Sequence, residues 1–130
     1  MRTLSDLFKA LSDETRLSML ALLSRHGELC VCDFVEAMDI TQSKASRHLR
    51  HLAHAGLVVD RRDAVWVFYR LPDDPSPDVA AVLQTLRPVL ASRDIRDLEA
   101  RLAAWSARKA TSPACRKSAP QPAPSPGEIA

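Results

Sequence analysis

The sequence has 130 residues, 46% of them apolar, so it can form one compact domain and leaves no room for a second of ordinary size. Its formal net charge is only +2. No run reaches the roughly 18 consecutive apolar residues that a membrane span needs, and the first residues lack the apolar segment of a secretory signal. We therefore expect a cytoplasmic protein without a membrane partner.

Apolar residues at helical spacing predict two helices at the start of the chain. The first covers Leu4–Leu11, where apolar side chains recur every three or four positions. Ser12 is a suitable N-cap for the second helix, because acidic residues follow it in the first turn. We expect this helix to run to about Arg25 and to end at Gly27.

Two shorter helices should follow and meet at a tight turn. The third is predicted over Val31–Met38, and Thr41 can cap a fourth over Gln42–Ala55. The fourth should stop at Gly56, since glycine readily takes the left-handed conformation that ends helices. Its buried stripe is Ala45, Leu49 and Leu52.

After Gly56 the pattern changes to strands and then returns to helix. The runs "LVVD" and "VWVFYRL", separated by "RRDA", predict a β-hairpin with Arg61 and Arg62 beside its tip. A further helix is predicted over Val79–Leu90, and helical spacing continues to Trp105. Pro88 should kink or divide this region.

The end of the chain has a different composition. Residues 109–130 contain five prolines and no aromatic residue. Such a segment buries too little apolar surface to order itself, so we expect a disordered tail. The predicted organisation is a domain over residues 1–108, mostly α with a small β-hairpin, and a tail over residues 109–130.

Basic residues concentrate in the middle of the chain. Residues 41–62 carry five basic side chains and one acidic, whereas residues 1–40 carry four basic and seven acidic. A basic helical face alone is also typical of a solvated surface. A helix-turn-helix followed by a basic hairpin, however, is the plan of a winged helix that reads DNA. The candidate DNA contacts are Gln42, Ser43, Lys44, Ser46, Arg47, His48, Arg50, Arg61 and Arg62.

Two of the three cysteines, Cys30 and Cys32, are separated by one residue. Inside a regular helix they would point about 200° apart and could not share an ion. Cys30 must therefore lie at or before the helix start, or the first turn must unwind. Both could instead be small buried side chains. A redox switch would need to close a small strained ring or reach Cys115, and the spacing favours neither.

Four segments together carry a resemblance to a known family: "LFKALSDETRLSMLALL", "ELCVCDF", "QSKASRHLRHLAHAGLV" and "DRRDAVWVFYRL". Over about residues 4–72 the chain resembles the ArsR/SmtB winged-helix metalloregulators, specifically their arsenic-responsive branch. The resemblance implies a homodimeric repressor that binds operator DNA at an imperfect inverted repeat. It also implies release when As(III) or Sb(III) binds Cys30 and Cys32, with no organic cofactor. The dimer interface would be formed by Leu4–Leu11 and Val79–Leu90.

The chain departs from the family in ways that leave alternatives open. Some relatives have a third thiol where Val35 stands, so the third arsenic ligand could be Cys115, a small cellular thiol or solvent oxygen. No histidine follows His54, so we do not expect the C-terminal zinc site of other relatives. The same cysteines could sense thiol oxidation or another thiophilic metal. An enzyme is not expected, because the chain lacks a glycine-rich phosphate loop and Cys-x-x-Cys.

Overall fold

The computed structural model describes residues 3–111. Six helices and three strands follow one another along this part of the chain. Their bounds are α1 Leu4–Leu11, α2 Glu14–His26, β1 Glu28–Cys30, α3 Val31–Met38, α4 Gln42–His54, β2 Val59–Asp63, β3 Trp66–Arg70, α5 Pro77–Ser92 and α6 Arg96–Thr111. The fold is thus mostly helical with a small antiparallel sheet, as predicted.

The helix caps explain most of these bounds. Thr41 caps α4 by accepting a hydrogen bond from the Lys44 backbone N–H at 3.1 Å, and Gly56 follows the helix at φ 83°. The predicted cap of α2 was wrong by one residue. Asp13 caps α2 by accepting from the Arg16 N–H at 3.0 Å, while Ser12 closes α1 by donating to the Lys9 carbonyl.

The sheet has one strand more than predicted. Its order is β1-β3-β2, and β3 is antiparallel to both neighbours. β1 has only three residues, too few for a recognisable alternation of apolar and polar side chains. Arg61 and Arg62 lie within β2, not beside the hairpin tip, which is formed by Ala64 and Val65. The β2–β3 hairpin is the wing.

The C-terminal helices also differ from the prediction. Pro88 lies inside α5 without dividing it, and the helix ends at Ser92. Arg25 closes α5 there, since its guanidinium donates to the carbonyls of Leu90, Ala91 and Arg93 at 3.0–3.3 Å. α6 continues past the predicted domain boundary at residue 108, while residues 112–130 of the predicted tail lie outside the described residues.

The hydrophobic core is centred on α2, which lies among the other helices. Large side chains with almost no exposed surface come from α2, α3, α4, the segment after α4 and α5. They are Met19, Leu20, Leu22, Leu23, Phe34, Leu49, Leu52, Leu57, Val58 and Leu90. This core fixes α3 and α4 relative to each other, and thus positions the cysteines relative to the predicted DNA-reading helix. Among residues 3–111, no helix combines the length and apolar character needed to cross a membrane.

Candidate functional site

The two cysteines lie where β1 ends and α3 begins. Cys30 is the last residue of the strand and occupies the N-cap position of α3, with extended backbone (φ −89°, ψ 165°). Cys32 is in the first helical turn. The prediction that Cys30 lies at or before the helix start is confirmed. Cys30 is buried, whereas Cys32 is partly exposed.

The sulfurs of Cys30 and Cys32 are joined in this structure as a disulfide. The spacing was expected to disfavour such a ring, yet the structure brings the two sulfurs together. The Cα atoms of the two residues lie 5.4 Å apart, within the usual range for bonded cysteines. The reduced pair can accordingly direct both thiolates at one point.

Asp33 completes a cluster that the sequence analysis missed. One of its carboxylate oxygens and the two sulfurs all lie within 4.8 Å of one another. The carboxylate is buried and already has three donors. Its Oδ2 accepts from the Cys30 backbone N–H at 2.8 Å, while Oδ1 accepts from Trp105 Nε1 at 2.9 Å and Lys109 Nζ at 2.6 Å. An acidic residue three positions after a helix cap was the available sequence signal.

Helix α6 covers the start of α3 through these contacts. Lys109, which we predicted to begin the disordered tail, is mostly buried in its ion pair with Asp33. A second ion pair, between Arg108 and Glu36, also joins α6 to α3 at 3.1 Å. A cleft of about 320 Å³ lies beside the Asp33–Lys109 pair, between α6 and β1.

Most of the candidate DNA contacts on α4 lie on its exposed surface. Ala45, Leu49 and Leu52 are buried, as predicted. The exposed candidates are Gln42, Ser43, Lys44, Arg47 and Arg50, and Ser46 is partly exposed beside them. Thr41 fixes the start of the helix, and five of these six residues lie within its first six positions, with Arg50 three positions further on. We call these six residues the α4 surface.

His48 lies apart from the α4 surface. Its side chain is only 12% exposed and faces α2, where Arg16 Nη1 donates to its Nδ1 at 3.0 Å. A guanidinium can only donate, so the ring is neutral and carries its proton on Nε2. Arg16 also donates to the Ala10 carbonyl at 2.7 Å. His48 is thus placed to hold α4 against α1 and α2, and its predicted DNA contact stays a prediction.

The His48 contact predicts a loss of stability in mild acid. Burial lowers the pKa of His48 from its ordinary value of 6.5; Arg16, Arg47 and Lys44 add to this effect, and Asp13 opposes it. Since the unfolded chain binds the proton more readily, the free energy of unfolding should fall as the pH drops from about 6.5 through the folded pKa. Chemical denaturation between pH 7.5 and 5 measures this.

The variant His48→Gln is the control for this prediction. Glutamine can still accept from Arg16 but does not titrate, so the pH dependence should become shallower. Burial also lowers the pKa of His51, so part of the slope should remain. If the free energy of unfolding depended on pH as steeply in His48→Gln as in the unsubstituted protein, other groups would be responsible for the acid sensitivity.

The wing places its two arginines on opposite faces, because neighbouring strand residues alternate. The Arg61 guanidinium donates to both carboxylate oxygens of Glu28, at 2.7 and 3.2 Å, and lies 4.6 Å from the centre of the Phe68 ring. Arg62 projects from the other face and is exposed. In the sheet register, Phe68 pairs with both Cys30 and Arg61. A single cross-strand row therefore joins the thiol pair to the wing.

Comparisons with known proteins agree with this arrangement. Residues 13–59 match the family model described as bacterial regulatory protein, arsR family. The arsenical resistance operon repressor of Escherichia coli is 53% identical over 75 residues, 58% of this chain and 61% of that protein. The arsenic resistance transcriptional regulator ArsR1 of Pseudomonas putida is 47% identical over 77 residues, 59% of this chain and 60% of that protein. The chain thus spans about three fifths of the length of these two relatives.

Two further similarities extend the comparison. A homolog of the cadmium resistance regulatory protein CadC from Staphylococcus aureus is 43% identical over 67 residues, 52% of this chain and 55% of that protein. The solution structure of the homodimeric winged helix-turn-helix DNA-binding domain of Mb0332 from Mycobacterium bovis is similar with a TM-score of 0.55 and 32% identity. That similarity covers 65% of this chain and 75% of the other. These relatives are transcriptional regulators, not enzymes. The chain belongs to the ArsR family of bacterial regulatory proteins.

Proposed function

We propose that this protein is a cytoplasmic transcriptional repressor that As(III) or Sb(III) releases from operator DNA through Cys30 and Cys32. The observation that carries the proposal is the position of the thiol pair. It lies at the first turn of α3, and α3 packs against the DNA-reading helix α4. Relatives named as arsenic and arsenical resistance regulators support the choice of inducer.

The chemistry of the pair fits a trivalent arsenic or antimony inducer. Thiolates are soft ligands and select soft metals and metalloids. Arsenous acid, As(OH)₃, would form two S–As bonds as the two thiol protons leave with two hydroxides as water. No electron is transferred, so the reaction needs the reduced pair. A reducing cytoplasm supplies that form.

Binding of the inducer would move residues that contact the proposed DNA-binding elements. One ion bound by both sulfurs would fix the separation and the direction of the two thiolate side chains, so Cys30 or the first turn of α3 would have to adjust. Cys30 belongs to the row that includes Phe68 and Arg61, and α3 packs on α4. Inducer binding would thereby change the wing and the α4 surface together.

The DNA-bound form is proposed to be a homodimer on an imperfect inverted repeat. Leu4 and Phe8 on α1 are 53% and 55% exposed, and Val89 on α5 is 58% exposed, which supports a partner covering these helices. The homodimeric Mb0332 domain adds to this support. Each α4 surface would enter a major groove, and Arg62 of each wing would contact phosphate.

The third arsenic ligand is proposed to come from outside the domain. Trivalent arsenic takes three ligands, and the described cysteines supply two. Cys115 lies outside the described residues. A small cellular thiol or a solvent oxygen can fill the third position without ordering more of the chain, so we favour a two-cysteine protein site.

Sensing of thiol oxidation is a second candidate, because the structure joins the two sulfurs. A peroxide would convert the two thiols to the disulfide and be reduced to two molecules of water. A divalent thiophilic cation is a further inducer to compare, given the similarity to a cadmium resistance regulator. Both alternatives use the same cysteines, so only the inducer separates them from arsenite sensing.

A gel-shift assay on the DNA upstream of the gene tests these assignments. The reduced protein should bind this DNA and be released by arsenite or antimonite. Parallel samples receive hydrogen peroxide or Cd(II). If only peroxide, or only Cd(II), released the protein from DNA, that compound and not arsenite would be the inducer. Absence of specific binding in every sample would overturn the repressor assignment.

A further inference from the structure

Asp33 lies close enough to the two sulfurs to join them as a metal ligand, but helix α6 occupies its carboxylate with hydrogen bonds. The carboxylate lies within 4.8 Å of both sulfurs. Its Oδ1, however, accepts two hydrogen bonds from α6, one from the Trp105 indole and one from the Lys109 ammonium. Its Oδ2 accepts from the Cys30 backbone. The carboxylate thus uses three of its roughly four acceptor sites. An ion that recruited Oδ1 would have to displace two donors that are themselves partly or largely buried, and an ion at Oδ2 would lie close to the Lys109 ammonium.

This arrangement affects two classes of inducer differently. Divalent thiophilic cations such as Cd²⁺ and Zn²⁺ favour four-ligand sites, in which a carboxylate oxygen can join the thiolates. As(OH)₃ enters as a neutral molecule and bonds to sulfur, so it needs no carboxylate. The Lys109 ammonium also repels a nearby divalent cation but not neutral As(OH)₃.

We propose that Trp105 and Lys109 determine inducer specificity, by keeping the Asp33 carboxylate out of the ligand set and so disfavouring divalent cations relative to As(III). The inference rests on the proposed function, since it concerns the same thiol pair. Lys109 and Trp105 act through Asp33 and are positioning residues, not ligands. The specificity is thus set by a helix that contributes no sulfur to the site.

The test is the variant Lys109→Met, which removes the ammonium and keeps most of the side-chain length. The reduced full-length protein is titrated with Cd(II), and binding is followed by the ultraviolet absorption of the thiolate–cadmium bond. We expect the Cd(II) affinity to rise about 10-fold or more, the size of effect that partners of metal ligands commonly have. The arsenite concentration that releases half of the DNA should change less than about 3-fold, because arsenic does not use Asp33.

The chain offers a matched control and two dependent variants. Arg101→Met removes another cation from an exposed position on α6 and should leave the Cd(II) affinity unchanged. Asp33→Asn added to Lys109→Met should abolish the gain, since an amide is a much weaker ligand. Trp105→Phe, which keeps the ring but loses the indole N–H, should raise the Cd(II) affinity in the same direction and covers the case that Lys109→Met does not fold.

Two results would overturn the inference. One is an unchanged or lower Cd(II) affinity in folded Lys109→Met or Trp105→Phe. The other is a loss of Cd(II) affinity when Asp33→Asn is introduced alone, which would make Asp33 a ligand already. Cadmium binding is measured without DNA, so these results are independent of the proposed function, whose failure would appear as missing operator binding or missing arsenite release in the unsubstituted protein.

Discussion

Serine at position 30 or 32 is expected to leave operator binding intact and to abolish its release by arsenite. Each substitution removes one S–As bond and leaves a single thiolate. The two thiols act as a chelate, and losing the second attachment lowers affinity by about 10²- to 10⁴-fold through the loss of effective concentration. DNA binding should persist because neither cysteine belongs to the α4 surface or to the wing.

Fluorescence anisotropy of labelled operator, titrated with arsenite, measures both properties in one experiment. Cys115→Ser is the matched control, since it removes the remaining thiol of the chain. It should shift the midpoint little if the third ligand comes from outside the domain. A full arsenite response in both Cys30→Ser and Cys32→Ser would contradict the proposed site, and a large shift in Cys115→Ser would identify the third ligand.

Arg47→Ala is expected to weaken operator binding by about 1–3 kcal/mol. It should also lower the ratio of the affinity for operator DNA to the affinity for random DNA. Arg47 is exposed near the start of α4, where side chains of such helices reach base edges in the major groove. A lost base contact affects only the specific complex, which is why the ratio should fall.

Arg62→Ala provides the contrast, because an exposed wing arginine that contacts phosphate carries no sequence information. It should weaken binding to operator and random DNA nearly equally. The slope of the logarithm of the binding constant against the logarithm of the salt concentration should become shallower by about one. Titrations of both variants on both DNAs at two salt concentrations distinguish the roles. The opposite pattern, with specificity lost in Arg62→Ala alone, would exchange the two assignments.

Local signals were sufficient to predict the elements that position the site. The bounds of α1 and α3 agree with the prediction, since apolar periodicity defines them within a few positions. The cap of α2 was misplaced because Ser12 and Asp13 are both good capping residues, and only the conformation of the chain decides between them. β1 was missed because its three residues become a strand only by pairing with β3.

The contacts around the thiol pair depend on residues far away in sequence. Asp33 meets Trp105 and Lys109 from α6, and no local pattern links these positions. His48 has the same spacing as the exposed His51 and His54, so only the presence of Arg16 on α2 distinguishes it. Sequence reasoning therefore identified the candidate sulfur ligands but could not identify the groups that contact them.

The segment that matches the family model, residues 13–59, contains the cysteines and α4 but ends before α6. The residues of α4 that are proposed to read DNA and the α6 residues that hold Asp33 thus lie in separate stretches of the gene. Mutations in the later stretch could retune the response to different toxic elements while operator recognition stays constant. An engineer building a biosensor could accordingly diversify α6 alone and select for cadmium against arsenite with one unchanged promoter.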